Sequence, residues 1–319
     1  MTAPQHRAAV DLGRERTDIP PSPQTQRPFM PDGAPAPTTA DAARYEAFGE
    51  RRFGAVNWLG LWTLYEKEVR RYLNVATQTV LAPIITTLLY LTVFLVAFSG
   101  AGRDVTMEGR TIAYAAFLPP GLIMMAVLSN AFQNSSSSII IGKVQGTLAD
   151  VLMPPLSAAE LTVAFVAGAA TRGLMVGAIT GLTIAGFMWG SGTPFTMTHF
   201  GAVLYFGVCA SVMLGAVGAI AGMWAEKFDQ LAVISNFVIT QLTFLSGTFF
   251  SVLKEGLPGW VADISAFNPL FYLIDGFRWG FIGASDAPVL RGVLVCAALT
   301  LGLCVLTYWL FRRGYKLKD

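Results

Sequence analysis

Few side chains in this sequence could make or break bonds. Its two histidines, His6 and His199, stand far apart, and Cys209, Cys296 and Cys304 all lie in apolar runs, where a thiol behaves as a small hydrophobe. Neither a metal site nor a disulfide is expected from these residues. There is no G-x-S-x-G elbow to present a nucleophile. Gly142-Lys143 is followed by Val144 and lacks the glycine spacing of G-x-x-x-x-G-K-[ST], so the chain is not expected to hydrolyse ATP by that route. An enzyme reading has no constellation to rest on. What remains is binding through charge. Arg172 is the one clear charge inside a long apolar run, and such a charge is costly enough to face a bundle interior or an aqueous cavity. It could anchor an anionic headgroup or form part of a gate. The competing reading has it bridging helices through carbonyls or through Asn130, Gln133 or Asn134. Asp275 and Arg278, three residues apart, are expected to form a structural salt bridge with each other.

The elements that must position these residues are membrane helices. Six apolar runs, at about 76–98, 111–133, 161–189, 199–224, 231–252 and 289–311, reach the roughly 20 residues that cross a bilayer. The composition agrees: 54% of residues are hydrophobic and 13% charged, where a soluble chain carries about 25% charged. Cations mark the sides. Arg51, Arg52, Lys67, Arg70 and Arg71 precede the first run, Lys143 and Lys227 fall in the second and fourth connections, and Arg312, Arg313, Lys316 and Lys318 follow the last. All lie on one side of a six-span topology, which predicts cytoplasmic termini. On the other side, Arg103 and Arg110 are offset by Asp104 and Glu108, and Lys254 comes with Glu255.

The first 54 residues differ in kind. With 8 of the 17 prolines between Pro4 and Pro37, they are expected to form a disordered cytoplasmic tail with no recognisable motif. No basic segment followed by an apolar one opens the chain, so no cleaved signal is expected and the first span should direct insertion. Residues 55–73 then read as an amphipathic interfacial helix: Trp58, Leu61, Trp62, Tyr65, Val69 and Tyr72 recur at spacings of three and four, with Glu66, Lys67, Arg70 and Arg71 on the other face. The alternative is a plain extension of the first span. Residues 74–319 form the six-span domain.

Two connections carry local structure. After the polar run 134–138, Gln145-Gly-Thr-Leu-Ala-Asp-Val-Leu-Met153 reads as a short helix that Pro154 and Pro155 terminate, with Leu148, Val151 and Leu152 on one face. Ser157 and Glu160 follow as an S-x-x-E capping box that starts the third span. Between spans five and six, 257–267 and 268–280 are apolar but too short to cross, so both are expected to be re-entrant helices that narrow the external end of any pathway. Asn268 caps the second and Pro269 opens it.

Leu242-Thr-Phe-Leu-Ser-Gly-Thr-Phe-Phe250, then Asn268-Pro-Leu-Phe-Tyr272 and Arg278, resemble the signature of type-2 ATP-binding-cassette exporter permeases, which move polysaccharides, Nod factors and some drugs. Phe117-Leu-Pro-Pro-Gly-Leu-Ile-Met-Met125, the 145–157 segment and Arg172 add to the resemblance, which covers about 57–315. It implies an all-α polytopic half-transporter in a bacterial cytoplasmic (inner) membrane that pairs with a second copy of itself. A separate cytoplasmic ATPase, in two copies, would use ATP and Mg; the chain itself would bind no cofactor and no nucleic acid. Gln145, Gly146, Thr147, Leu148, Asp150, Val151, Leu152, Pro154 and Pro155 would form the coupling helix, docking through Leu148, Val151 and Leu152. Relatives tend to be acidic where this chain has Gln145 and Ala149. Met124, Met125, Phe237 and Phe244 are expected to line an apolar pathway, which suggests an amphipathic, lipid-linked or glycan cargo. An ion-coupled secondary transporter is the alternative, although the paired intramembrane acids or histidines it needs are not visible.

Overall fold

The computed structural model describes residues 56–99, 104–107, 110–190, 192, 195–252, 264–265 and 267–317. The proline-rich tail and most of the expected first re-entrant helix lie outside the described residues. Six helices are long and apolar enough to cross a membrane: α2 (Thr77–Phe98), α3 (Tyr114–Val144), α5 (Ala158–Gly190), α6 (Phe200–Trp224), α7 (Phe228–Thr248) and α9 (Val289–Arg313). Three shorter helices accompany them: α1 (Trp58–Leu73), α4 (Leu148–Leu152) and α8 (Pro269–Ile282). The protein is a helical, multi-pass membrane protein. One small departure from the all-α expectation is a hairpin between α2 and α3, in which β1 (Val105–Met107) pairs antiparallel with β2 (Arg110–Ile112), Val105 opposite Ile112.

The central element is α3, packed chiefly against α5 and α6. Of its most apolar window 72% is buried, against 11% for α2 and for α9, so the latter two form the periphery of the chain. The 31 residues of α3 and 33 of α5 make rods of about 45 and 50 Å, well beyond a hydrocarbon core of about 30 Å. The excess lies where α3 ends and α5 begins. The polar run 134–138, whose serines read as a polar helix end, is helical, and α3 continues beyond it to Val144. Glycine explains how rods pack this closely: a Cβ at Gly168 of α5 would stand 2.7 Å from the Glu68 Cβ of α1.

Most buried apolar side chains form one cluster along α3, α6 and α8. A second cluster at the lysine-rich end joins Leu64 of α1, Ile139 of α3, Leu161 and Phe165 of α5, Met223 of α6 and Phe311 of α9. There Phe165 stacks on Phe311 with centroids 5.7 Å apart. Two helices depart from α geometry. α2 opens with a π-helical turn, Thr77–Leu81, and α7 contains two, Ile234–Ile239 and Phe244–Thr248, the last broken by Gly247 at φ +78°. Such turns are rare and concentrate at functional sites.

Candidate functional site

α1 turns one face to its own chain and leaves its two tryptophans outside. Leu64, Glu68 and Tyr72, at i, i+4 and i+8, are buried, while Trp58 and Trp62 are 72% and 61% exposed. Glu66 and Arg70 pair with each other on the outer surface. The inward carboxylate is compensated: Glu68 accepts from Ser138 Oγ at 2.5 Å and from Arg71 Nη2 at 3.1 Å. Arg71 also donates to the Asn134 carbonyl at 2.7 Å, to Asn134 Oδ1 at 3.0 Å and to Ser137 Oγ at 3.0 Å. The helix-bridging role considered for Arg172 is thus performed by Arg71. Glu68 was not distinguished at all from sequence; its spacing from Leu64 and Tyr72 is the signal that marks it.

Arg172 has no such partners. Among the described residues it donates no hydrogen bond, its Nε is buried without an acceptor, and the nearby Arg71 repels it. Both arginines line a cavity of about 700 Å³ walled by α2, α3, α5 and α7. The residues expected to line a pathway divide. Met125 stands in the cavity wall, whereas Met124 is fully buried in the core. Phe244 packs at 6.4 Å against Tyr90, which does line the cavity, and at 4.9 Å against Phe249. Phe237 points outward, 73% exposed.

The short helix α4 carries the residues expected to couple to a partner. Leu148 is buried against Gly142 of α3, and Val151 and Leu152 pack with Leu156 onto the second core cluster. Part of the apolar face expected to dock on a partner thus packs on its own chain, with Leu148 buried and Val151 and Leu152 half-buried. Gln145, Gly146, Thr147, Ala149, Asp150, Pro154 and Pro155 are exposed instead, with Met153 80% exposed. The capping box forms as read: the Ser157 N–H donates to Glu160 Oε2 at 2.6 Å and the Glu160 N–H to Ser157 Oγ at 3.3 Å. Its second oxygen does more, accepting from the Asn57 N–H at the head of α1 at 2.5 Å. Asn57 also caps α1 through Gly60 N–H and reaches the Pro155 carbonyl at 3.4 Å. Lys143 donates to the carbonyls of Met223 and Ala225 at the end of α6, where cations suit the helix dipole.

At the opposite end of the bundle the quoted sequence strings meet. The broken end of α7 frees carbonyls, and buried donors collect them. Arg278 Nη2 donates to Gly247 O at 2.6 Å, Asn268 Nδ2 to Leu242 O at 2.8 Å, and Tyr114 OH to Phe249 O at 3.0 Å. The Arg278 guanidinium lies 3.9 Å from the Phe117 ring centroid. Arg278 and Asp275 do not pair directly. Asp275 instead accepts the N–H groups of Asp286 and Ala287 at 2.8 and 2.9 Å, because the kink before α9 leaves those donors without helical partners. α8 carries Tyr272 buried, and its Asn268 cap and Pro269 start form as predicted, with Leu270 N–H 3.1 Å from Asn268 Oδ1.

The family model for the ABC-2 type transporter matches residues 60–282, from α1 through α8. The inner membrane transport permease YadH of Escherichia coli K12 is 31% identical over 262 residues, covering 82% of this chain and 98% of that protein. The protein of the same name in Shigella flexneri gives the same figures. A six-helix bundle whose three quoted strings close one junction, matched by family and by full-length relatives, belongs to the ABC-2 type transporter permeases.

Proposed function

We propose that this chain is the membrane-spanning half of an ATP-driven exporter in a bacterial inner membrane, with the lysine-rich end and both termini in the cytoplasm. Two copies together form the pathway, and a separate ABC ATPase subunit docks beneath each and uses ATP and Mg. The cargo is amphipathic, lipid-linked or a glycan. The observation that carries this reading is a 700 Å³ cavity walled by spans that share α3 and α5 with an exposed platform, α4. Closure of two ATPase subunits on ATP would favour one arrangement of the helices over another, which is how a ligand shifts a conformational population. The resemblance to exporter permeases supports the direction, and the relative YadH, described as an inner membrane transport permease, supports the membrane.

On this reading the ATPase meets Ala149, Asp150 and Met153 rather than the buried Leu148. Affinity purification of the tagged full chain in mild detergent should recover a soluble ATP-hydrolysing subunit in equal amount. The double variant Asp150→Lys, Met153→Glu should insert normally and lose that subunit. A chain purified without any ATPase partner overturns the proposal.

A further inference from the structure

We infer that the cavity is a binding site for an anionic amphiphile, whose phosphate or carboxylate headgroup meets Arg172. This deepens the permease reading and rests on it. Three observations converge. First, the cavity holds two guanidinium groups, and Glu68 engages only one of them; among the described residues Arg172 has no acceptor. A charge in that position is stabilised by an opposite charge supplied from outside the chain. Second, the cavity wall along α3 mixes apolar and polar side chains: Leu122, Met125 and Ala126 line one end, and Ser129, Asn130, Gln133, Ser136 and Ser137 follow, with Phe132 and Ile141 among them. From Leu122 to Ser137 the helix rises about 22 Å, the length of a headgroup plus a medium acyl chain. Third, Arg172 belongs to the polar part, because the neighbouring Gly168 faces Asn134 and Gly173 faces Ala131. The apolar part ends at Tyr90, which stacks edge-on against Phe94, Phe244 and Phe249. A cation without a protein acceptor and apolar surface therefore stand within one volume, as an anionic amphiphile requires.

The test uses the full chain with its ATPase in phosphatidylcholine nanodiscs and radiolabelled dodecyl phosphate as probe. Saturable binding is expected, about tenfold weaker in Arg172→Gln and largely kept in Arg172→Lys, as for the loss of one charge-assisted contact. Dodecyltrimethylammonium should not displace the probe from the unaltered chain; displacement by it overturns the inference even where a variant fails to fold. Displacement by phosphatidylglycerol would identify a bilayer lipid as the source of the headgroup, still an anionic amphiphile. Equal displacement by inorganic phosphate would make this a free-anion site and overturn the amphiphile assignment. Equal probe binding by the unaltered chain and Arg172→Gln, with ATPase bound to both, removes the site and leaves the permease reading standing.

Discussion

At Glu68 a carboxylate gives up water and receives Ser138 and Arg71 in return. Removing one partner of such a pair leaves the other uncompensated, so Glu68→Gln should lower stability by about 2 kcal/mol, the buried-pair cost reduced because Arg71 is partly solvated. Thermal unfolding of the detergent-solubilised chain measures this. Gly168→Ala should be destabilising by about 1–3 kcal/mol, since the added methyl meets Glu68 where the rods touch. Arg172 is the contrasting case. Among the described residues it satisfies no acceptor, so Arg172→Gln should leave the unfolding temperature unchanged or raised while Glu68→Gln lowers it. A fall of similar size in both variants would contradict the separation of roles between the two arginines.

Among the elements, the helices with the longest uniform runs were the ones legible in advance. Span length and apolarity are local properties, and six runs gave six spans at the bounds read to within a few residues, apart from the extra turns of α3. Facing direction is not local. On α1 the aromatic residues and the Leu64–Glu68–Tyr72 stripe both recur at helical spacing, and only the proximity of α5 decides which is buried. On α4 a three-residue apolar face is partly covered by a core that comes from helices distant in sequence. The end of α7 shows the converse. Leu-Ser-Gly-Thr-Phe-Phe, Asn-Pro-Leu-Phe-Tyr and Arg278 were recognisable as strings, but their shared role, capping the carbonyls of a broken helix, emerges only when they are seen together. Gly247→Ala should cost about 1–2 kcal/mol, since its φ is in the left-handed region. Asn268→Ala should cost about 2 kcal/mol by losing a helix cap and the donor to Leu242 O at once. Both variants should show earlier protease cleavage near the end of α7 at the same temperature.

Across the whole molecule, charge at the lysine-rich end is of two kinds. Lys316 donates to Glu226 at 2.7 Å, and this hydrogen bond and the lysine charge hold the Glu226 carboxyl below its ordinary value of 4.5. A lowered carboxylate stabilises above its ordinary range and loses that contribution as pH falls through the lowered value, so the contact persists at neutral pH and fails only in acid. Being exposed, it is worth little, and Lys316→Gln should leave the melting temperature within about 1 °C at physiological salt. Glu160 is buried and shared by three segments, so Glu160→Ala should cost about 1–2 kcal/mol for the cap alone, with Glu160→Gln intermediate.

That shared carboxylate has a mechanical meaning. The head of α1 is tied through Glu160 and Asn57 to the chain leaving α4, while four turns further along, about 21 Å away, the same helix carries Arg71, paired with Glu68, into the cavity wall. On the proposed function, α1 would act as a lever with its handle at α4 and its tip, Arg71, in the cavity wall. The lever exists because one residue accepts hydrogen bonds from both sides of its fulcrum.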